Sequence, residues 1–271
     1  MAEFVPVRLK LTGDTADHHQ FQGYDGYMAL AGFAWTLSLV ANYAETGKIR
    51  QRGDFPGRHA VRATAPAEGS VIIDFMVLLA QSPQAVFGLA GAGAASPFFY
   101  SLLQRVIARN LGDEEAVTNS LLLQLLEKRS GDVERLVAVN EAPIRQSHGL
   151  IDNGAKKISI VGGQSIIGHY DEQSRDYVKL SIEDDHTKRQ EVRVSAFSGN
   201  SGYGSVFDLN LGRNLPVSMS KDVLRQYGSV FTWGLDQYVR KTGGTITLTY
   251  NQILAMDGTP KRYIALAAHT N

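Results

Sequence analysis

The sequence predicts an α+β chain in two parts: an N-terminal β-α-β-β unit with further helices, and a C-terminal β-rich, small barrel-like unit with one packed helix. Three observations lead there. A strand-like alternation opens the chain and runs into a long stretch of apolar residues at helical spacing. Two more alternating stretches follow, and from about Ser147 the pattern changes to short strand-like segments punctuated by glycine. The units are placed at residues 1–146 and 147–271, with the boundary in SHGLIDNGA.

Phe4 to Leu11 alternates, with Val5, Val7, Leu9 and Leu11 on one face, and Gly13-Asp14 closes the strand. From Tyr24 to Glu45 apolar residues recur at helical spacing, including Tyr27, Leu30, Ala34 and Leu37, and Gly47 supplies the stop. Phe33, Trp35 and Val40 fall on other faces, so the helix is expected to be buried on most sides. HAVRATA and SVIIDFMVLLA, within 59–80, read as strands joined by a turn at 66–69. Helices are expected from Pro97 to Asn110, from an N-cap at Asp113 to a stop at Gly131, and over 132–140 before Pro143.

In the second part, strands are expected at 157–161, 165–170, 176–183, 190–197 and 204–211. Ser220 caps a helix over 221–241 whose stripe is Leu224, Tyr227, Phe231, Leu235 and Tyr238. Strands at 245–254 and 261–268 flank the turn Asp257-Gly258-Thr259, completing a half-open barrel.

Composition excludes several function classes. The 271 residues hold 27 Lys plus Arg against 27 Asp plus Glu, a balance that argues against nucleic acid as a partner. With no cysteine there is no disulfide, thiolate nucleophile or Cys-ligated zinc, which suits a reducing cytoplasm. The opening MAEFVPVRLK lacks the charged and apolar regions of a secretion signal.

Between Asp74 and Arg105 no residue is charged, and Ala85 to Leu103 reads AVFGLAGAGAASPFFYSLL. As one helix it would just cross a hydrocarbon core, with Gly88, Ala92 and Ser96 on a small-residue face and Gly91, Phe98 and Phe99 beside them. The other reading, favoured by Pro97, is a helix from Pro97 with Leu102, Val106 and Ile107 inward, under which the Ala/Gly part packs as a loop or short helix.

Asp14, Asp17, His18 and His19 have the composition of a metal site, but adjacent histidines point apart on an extended segment, and a polar loop with an Asx-turn explains them. SGNSGYGS at 198–205 precedes a strand and so lacks the helix N-terminus of a phosphate cradle; a mobile hairpin loop is expected, with Tyr203 at its tip as a ligand or partner contact. Glu183, Asp184, Asp185 and His186 read as a solvated hairpin turn.

At GDTADHHQFQGYDGYMALAGFAWTLSLVANYAETGKIR, and again at GSVFDLNLGRNLPVSM, the chain resembles an uncharacterised bacterial family built from two domains of unknown function. The resemblance transfers no active site. Proteins of this kind look like accessory parts of mobile or phage-defence operons, which implies an interaction or effector role. The leading expectation is a non-catalytic binding or scaffold protein with no cofactor, whose partner is another protein encoded nearby, homo-oligomers being open. The alternatives are a membrane-active effector inserting residues 85–108, and a metal-dependent hydrolase using Asp14, Asp17 and His18.

Overall fold

The computed structural model describes residues 3–50, 55–64, 71–113, 116–179, 181–255 and 258–271. The protein is α+β and divides into two compact units, Met1–Leu125 with Leu136–Val178, and Leu126–Arg135 with Lys179–Asn271.

The first unit is built on β1 (Glu3–Thr12), the centre of an antiparallel sheet. Val5, Val7, Leu9 and Leu11 are buried, as their alternation predicts. On one side β1 pairs with β3 (Ile72–Leu79), which pairs with the short β2 (Val61–Ala63); on the other it pairs with β4 (Lys157–Gly162), which pairs with β5 (Ser165–Tyr170). β4 and β5 were assigned from sequence to the second part; their pairing with β1 places them in the first unit, which runs to Val178 rather than to residue 146.

Helix α1 (Gly23–Thr46) ends at Gly47, whose φ of 63° suits a residue without a Cβ. It is buried almost throughout from Phe33 to Ala44 and packs on β3, with the Phe33 and Phe75 rings 5.4 Å apart. The strand expected from residue 59 starts later, because Pro56 at the first turn sets up helix α2 (Pro56–Ala60). The turn expected at 66–69 lies outside the described residues.

The uncharged stretch is two helices and a loop: α3 (Pro83–Phe87), a turn through Gly88 and Gly91, and α4 (Ala95–Leu111). Gly88, Ala92 and Ser96 therefore share no helix face. Gly88 caps α3 and Gly91 is left-handed; the Gln84 side chain donates to the Gly91 and Gly93 carbonyls, and Ser96 donates to Glu3. Phe98 and Phe99 are core residues of α4, as are Leu102, Val106 and Ile107.

The next helix begins at Ser120 rather than Asp113, because Asn119 supplies the cap by accepting from the Leu122 N–H; Glu114 and Glu115 lie outside the described residues. This helix, α5 (Ser120–Ser147), bends at Arg129 (φ −142°, ψ 37°) and continues past Gly131 and Pro143, where two helices were expected. Gly131 is a contact glycine rather than a stop. A Cβ there would lie 2.3 Å from the Ser198 nitrogen and 2.5 Å from the Phe197 carbonyl carbon, both within the second unit. Gly131→Ala is expected to cost that unit about 1–3 kcal/mol, read as a lowered urea midpoint, because a backbone must move.

Residues 176–179, the start of the strand expected at 176–183, belong instead to helix α6 (Glu172–Lys179). A reciprocal cap explains it: Asp171 Oδ1 accepts from the Ser174 N–H and Ser174 Oγ from the Asp171 N–H, each at 2.9 Å.

The second unit is a closed barrel of β6 (Ile182–Phe197), β7 (Tyr203–Asp208), β8 (Arg213–Met219), β9 (Ile246–Leu254) and β10 (Pro260–Thr270), in the order β10-β8-β7-β6-β9. It closes, where a half-open barrel was expected, because β6 is long. Its first part pairs with β9 and its last with β7, while β10 runs parallel to β8. The hairpin turn expected at Glu183, Asp184, Asp185 and His186 does not form; those residues lie within β6, whose pairing with β9 shifts register between Asp184 and Lys188. Strand β8 was missed because Pro216 argues against a central strand; the pairing with β10 begins only at Val217. Helix α7 (Lys221–Val239), capped by Ser220, packs on β6 and β10; Phe231 is buried against Phe197, and Gly234 lets the helix approach Val194. Of its expected stripe, Tyr238 points to solvent.

Candidate interaction site

The first turns of α1 break the burial rule that governs the rest of the helix. Tyr24 is 78% exposed, Tyr27 69% and Met28 42%, at the i, i+3, i+4 spacing that puts side chains on one helix face. Tyr27 was expected inward from its place in the apolar period; the sheet and helices of the unit cover α1 only further along, so it faces out. Phe21 stands edge-on to Tyr27, ring centroids 5.6 Å apart, and adds a third ring.

This aromatic surface is held in shape by its surroundings. Gly26 gives Phe21 its place, since a Cβ there would lie 2.0 Å from the ring. Gly154, at φ 136°, passes close to the Phe21 stem, where a Cβ would lie 2.8 Å from the Phe21 Cβ. The segment before the helix is tied to the loop 152–155 by Ala16 N–H to the Gly154 carbonyl (2.8 Å) and Gln22 N–H to the Asn153 carbonyl (3.3 Å). Gln146 on α5 donates to the Met28 carbonyl at 2.7 Å. The aromatic side chains therefore stand on fixed backbone, an arrangement that lowers the ordering cost of any association.

The residues suspected of metal binding belong to this anchoring. Asp14–His18 form a 3-10 turn in which Asp17 Oδ1 accepts from the N–H of Gly13, four residues earlier, at 2.7 Å; the segment is a polar loop, but this bond is not the Asx-turn that was expected, where a side chain accepts from the N–H two residues on. Among the described residues, no group of three His, Asp or Glu side chains could hold a metal ion. Tyr203, expected at a mobile tip, is half-buried at the start of β7 opposite Ser218, and the loop before it is closed by the Ser198 N–H to Tyr203 carbonyl bond at 2.9 Å.

His148 Nε2 lies 3.1 Å from Ser174 Oγ, while Nδ1 lies 2.7 Å from the Ile144 carbonyl and so carries the proton. Ser174 Oγ is already committed to capping α6, and the imidazole, 2% exposed, lies against the Tyr170 ring at 4.0 Å. Burial pushes the His148 pKa down to about 4, against the smaller upward pull of the Ile144 carbonyl. This depressed base is neutral in the fold, so the unfolded chain binds the extra proton between about pH 6.5 and pH 4. Stability is expected to be complete above about pH 6.5 and to fall by roughly 3 kcal/mol as pH drops to 4. The imidazole NMR signals of His148 check this; titration near pH 6.5 in the native chain would contradict it.

The family described as Domain of unknown function (DUF7946) matches residues 7–179. The chain belongs to this family. The match takes in the first unit from Val7 onward, including the aromatic surface and the first of the two segments that carried the resemblance; the second, 204–219, lies beyond it. No curated protein and no solved structure matches the chain.

What the sequence reading missed here is Phe21, Tyr24 and Met28. The available signal was Tyr24, Tyr27, Met28 and Ala31 on one face, but a helix apolar on every side does not reveal which end its neighbours leave uncovered.

Proposed function

We propose that the protein is a non-catalytic binding or scaffold protein that docks another protein on the aromatic surface at the start of α1. The single observation behind this is the exposure of Tyr24 and Tyr27 on anchored backbone. Tyrosine and methionine are enriched where proteins meet, and tyrosine is among the residues that dominate binding energy. Asp25 on the same turns would repel a phosphate backbone, which favours a protein over nucleic acid.

The full chain would be co-expressed with the products of adjacent genes and the complex measured by light scattering and calorimetry. Tyr24→Ala and Tyr27→Ala are each expected to weaken the complex about tenfold or more, with unfolding free energies changed by less than about 0.5 kcal/mol. A companion held equally by wild type and the double variant would reject this surface, and a dimer of the chain that the same changes dissolve would replace the partner by a second copy.

A further inference from the structure

The sheet of the first unit ends at β5, which is paired on one side only, with β4. Among the described residues no hydrogen bond reaches the backbone of residues 165–170 from the other side. Edge strands are usually guarded by lysine, proline or a covering element. The β5 sequence SIIGHY has neither residue; its pairing with β4 carries one irregularity, a register shift between Gly168 and Ile166, and Ile166 stands 65% exposed on the strand.

Beside this edge lies a groove of about 310 Å³ between β5 and α4, lined by Gln104, Ile107 and Leu111 from the helix and by Ile166 and Gly168 from the strand. Gly168 lets the two approach, a Cβ there meeting Ile107 at 3.2 Å. The cleft is at the small end of the range for ligand sites, so it suits single side chains rather than a folded surface. Asp113, just past the end of α4, supplies its formal charge, and no lysine or arginine lines it. Asp113 is also the first of three consecutive acidic residues in the sequence.

A free strand edge offers donors and acceptors at the spacing of another strand, so its natural complement is an extended chain. The groove adds a seat for apolar side chains, and the acidic charge selects a basic neighbour. We propose that β5 and the β5–α4 groove capture an extended peptide segment of a partner protein by strand addition, the segment carrying apolar residues and a Lys or Arg placed toward Asp113. This surface is separate from the aromatic surface of α1 and does not depend on it.

The test is a selection of a displayed random peptide library, with inserts of about ten residues, against the full chain. Selected peptides are expected to alternate apolar residues and to contain Lys or Arg. N-methylation of the best peptide at alternate residues should abolish binding in one phase of the alternation and spare it in the other, because only one set of N–H groups faces β5. Ile166→Lys, at an exposed position, should weaken binding at least tenfold, and Asp113→Lys should remove the preference for basic residues. Equal tolerance of both N-methylation phases, undiminished binding to the Ile166→Lys chain, or a library that yields no binding peptide would each overturn the proposal. Tyr24→Ala and Tyr27→Ala should leave peptide binding unchanged, so either surface can fail without the other.

Discussion

Replacing Asp208 by alanine is expected to destabilise the second unit by about 3–5 kcal/mol, because several buried donors lose their shared acceptor at about 1–3 kcal/mol each. Asp208 ends β7 and is 1% exposed. Its Oδ1 accepts from the Asn210 and Leu211 N–H groups at 2.8 and 3.0 Å, which shapes the turn into β8. Its Oδ2 accepts from the Tyr263 hydroxyl and, at 2.7 Å, from Gln190 Nε2, tying β7 to β10 and β6 across the barrel. Burial alone would raise this carboxyl's pKa. The donors, led by Tyr263, outweigh it and hold the group below the usual carboxylate range, while burial and the carboxylate together push the Tyr263 phenol up.

Alanine would leave Tyr263 and Gln190 without their acceptor inside the barrel and the turn without its cap. Asp208→Asn keeps one acceptor oxygen and is expected to lose less. Because the folded pKa is depressed, the carboxylate's contribution is complete above the unfolded value near 4 and is lost as pH falls below it. Urea unfolding followed through Trp233, which lies in the same unit, measures both variants. An unchanged midpoint for Asp208→Ala would mean that the network adds no net stability.

Phe98→Ala is expected to cost the first unit a similar amount, about 3–5 kcal/mol, for a large side chain removed from a packed core. Phe98 is fully buried, its ring 5.9 Å from Phe87, which in turn lies 5.2 Å from Tyr43 of α1. The same packing bears on the proposal that residues 85–108 enter a bilayer. Insertion would have to withdraw Phe98, Phe99, Leu102 and Leu103, all fully buried, at about 1.5–3 kcal/mol each, a sum comparable with the whole stability of a domain. Among the described residues no helix is long and apolar enough to cross a membrane. Hydrogen exchange of α4 would measure the Phe98 effect directly. Release of dye from vesicles by the native chain, lost in Gly91→Asp, would instead support insertion.

Local periodicity was a sound guide wherever one element's own residues decide its state. The alternation of β1, the stop of α1 at Gly47, the helix from near Pro97 to Gly112 and the Ser220 cap were all legible. Where short-range signals compete, the reading slipped: the Asp171–Ser174 cap turned an expected strand into α6, and a single bend replaced the stop expected at Gly131. The candidate site was less legible still. Tyr27 obeys the helical period of the buried residues after it, and only the position of the neighbouring elements leaves it in solvent.

By itself the sequence determined the α+β class, the long apolar helix, the strand-rich C-terminal part and the absence of thiol chemistry, because each follows from composition or from contacts a few residues apart. Tertiary structure decided that β4 and β5 join β1 across more than half the chain, that β6 closes the barrel, and that, among the described residues, the β5 edge and the aromatic face at the start of α1 stay uncovered. A strand's alternation states which face is apolar but not which strand will lie beside it, so partners, edges and exposed faces emerge only when the whole chain packs.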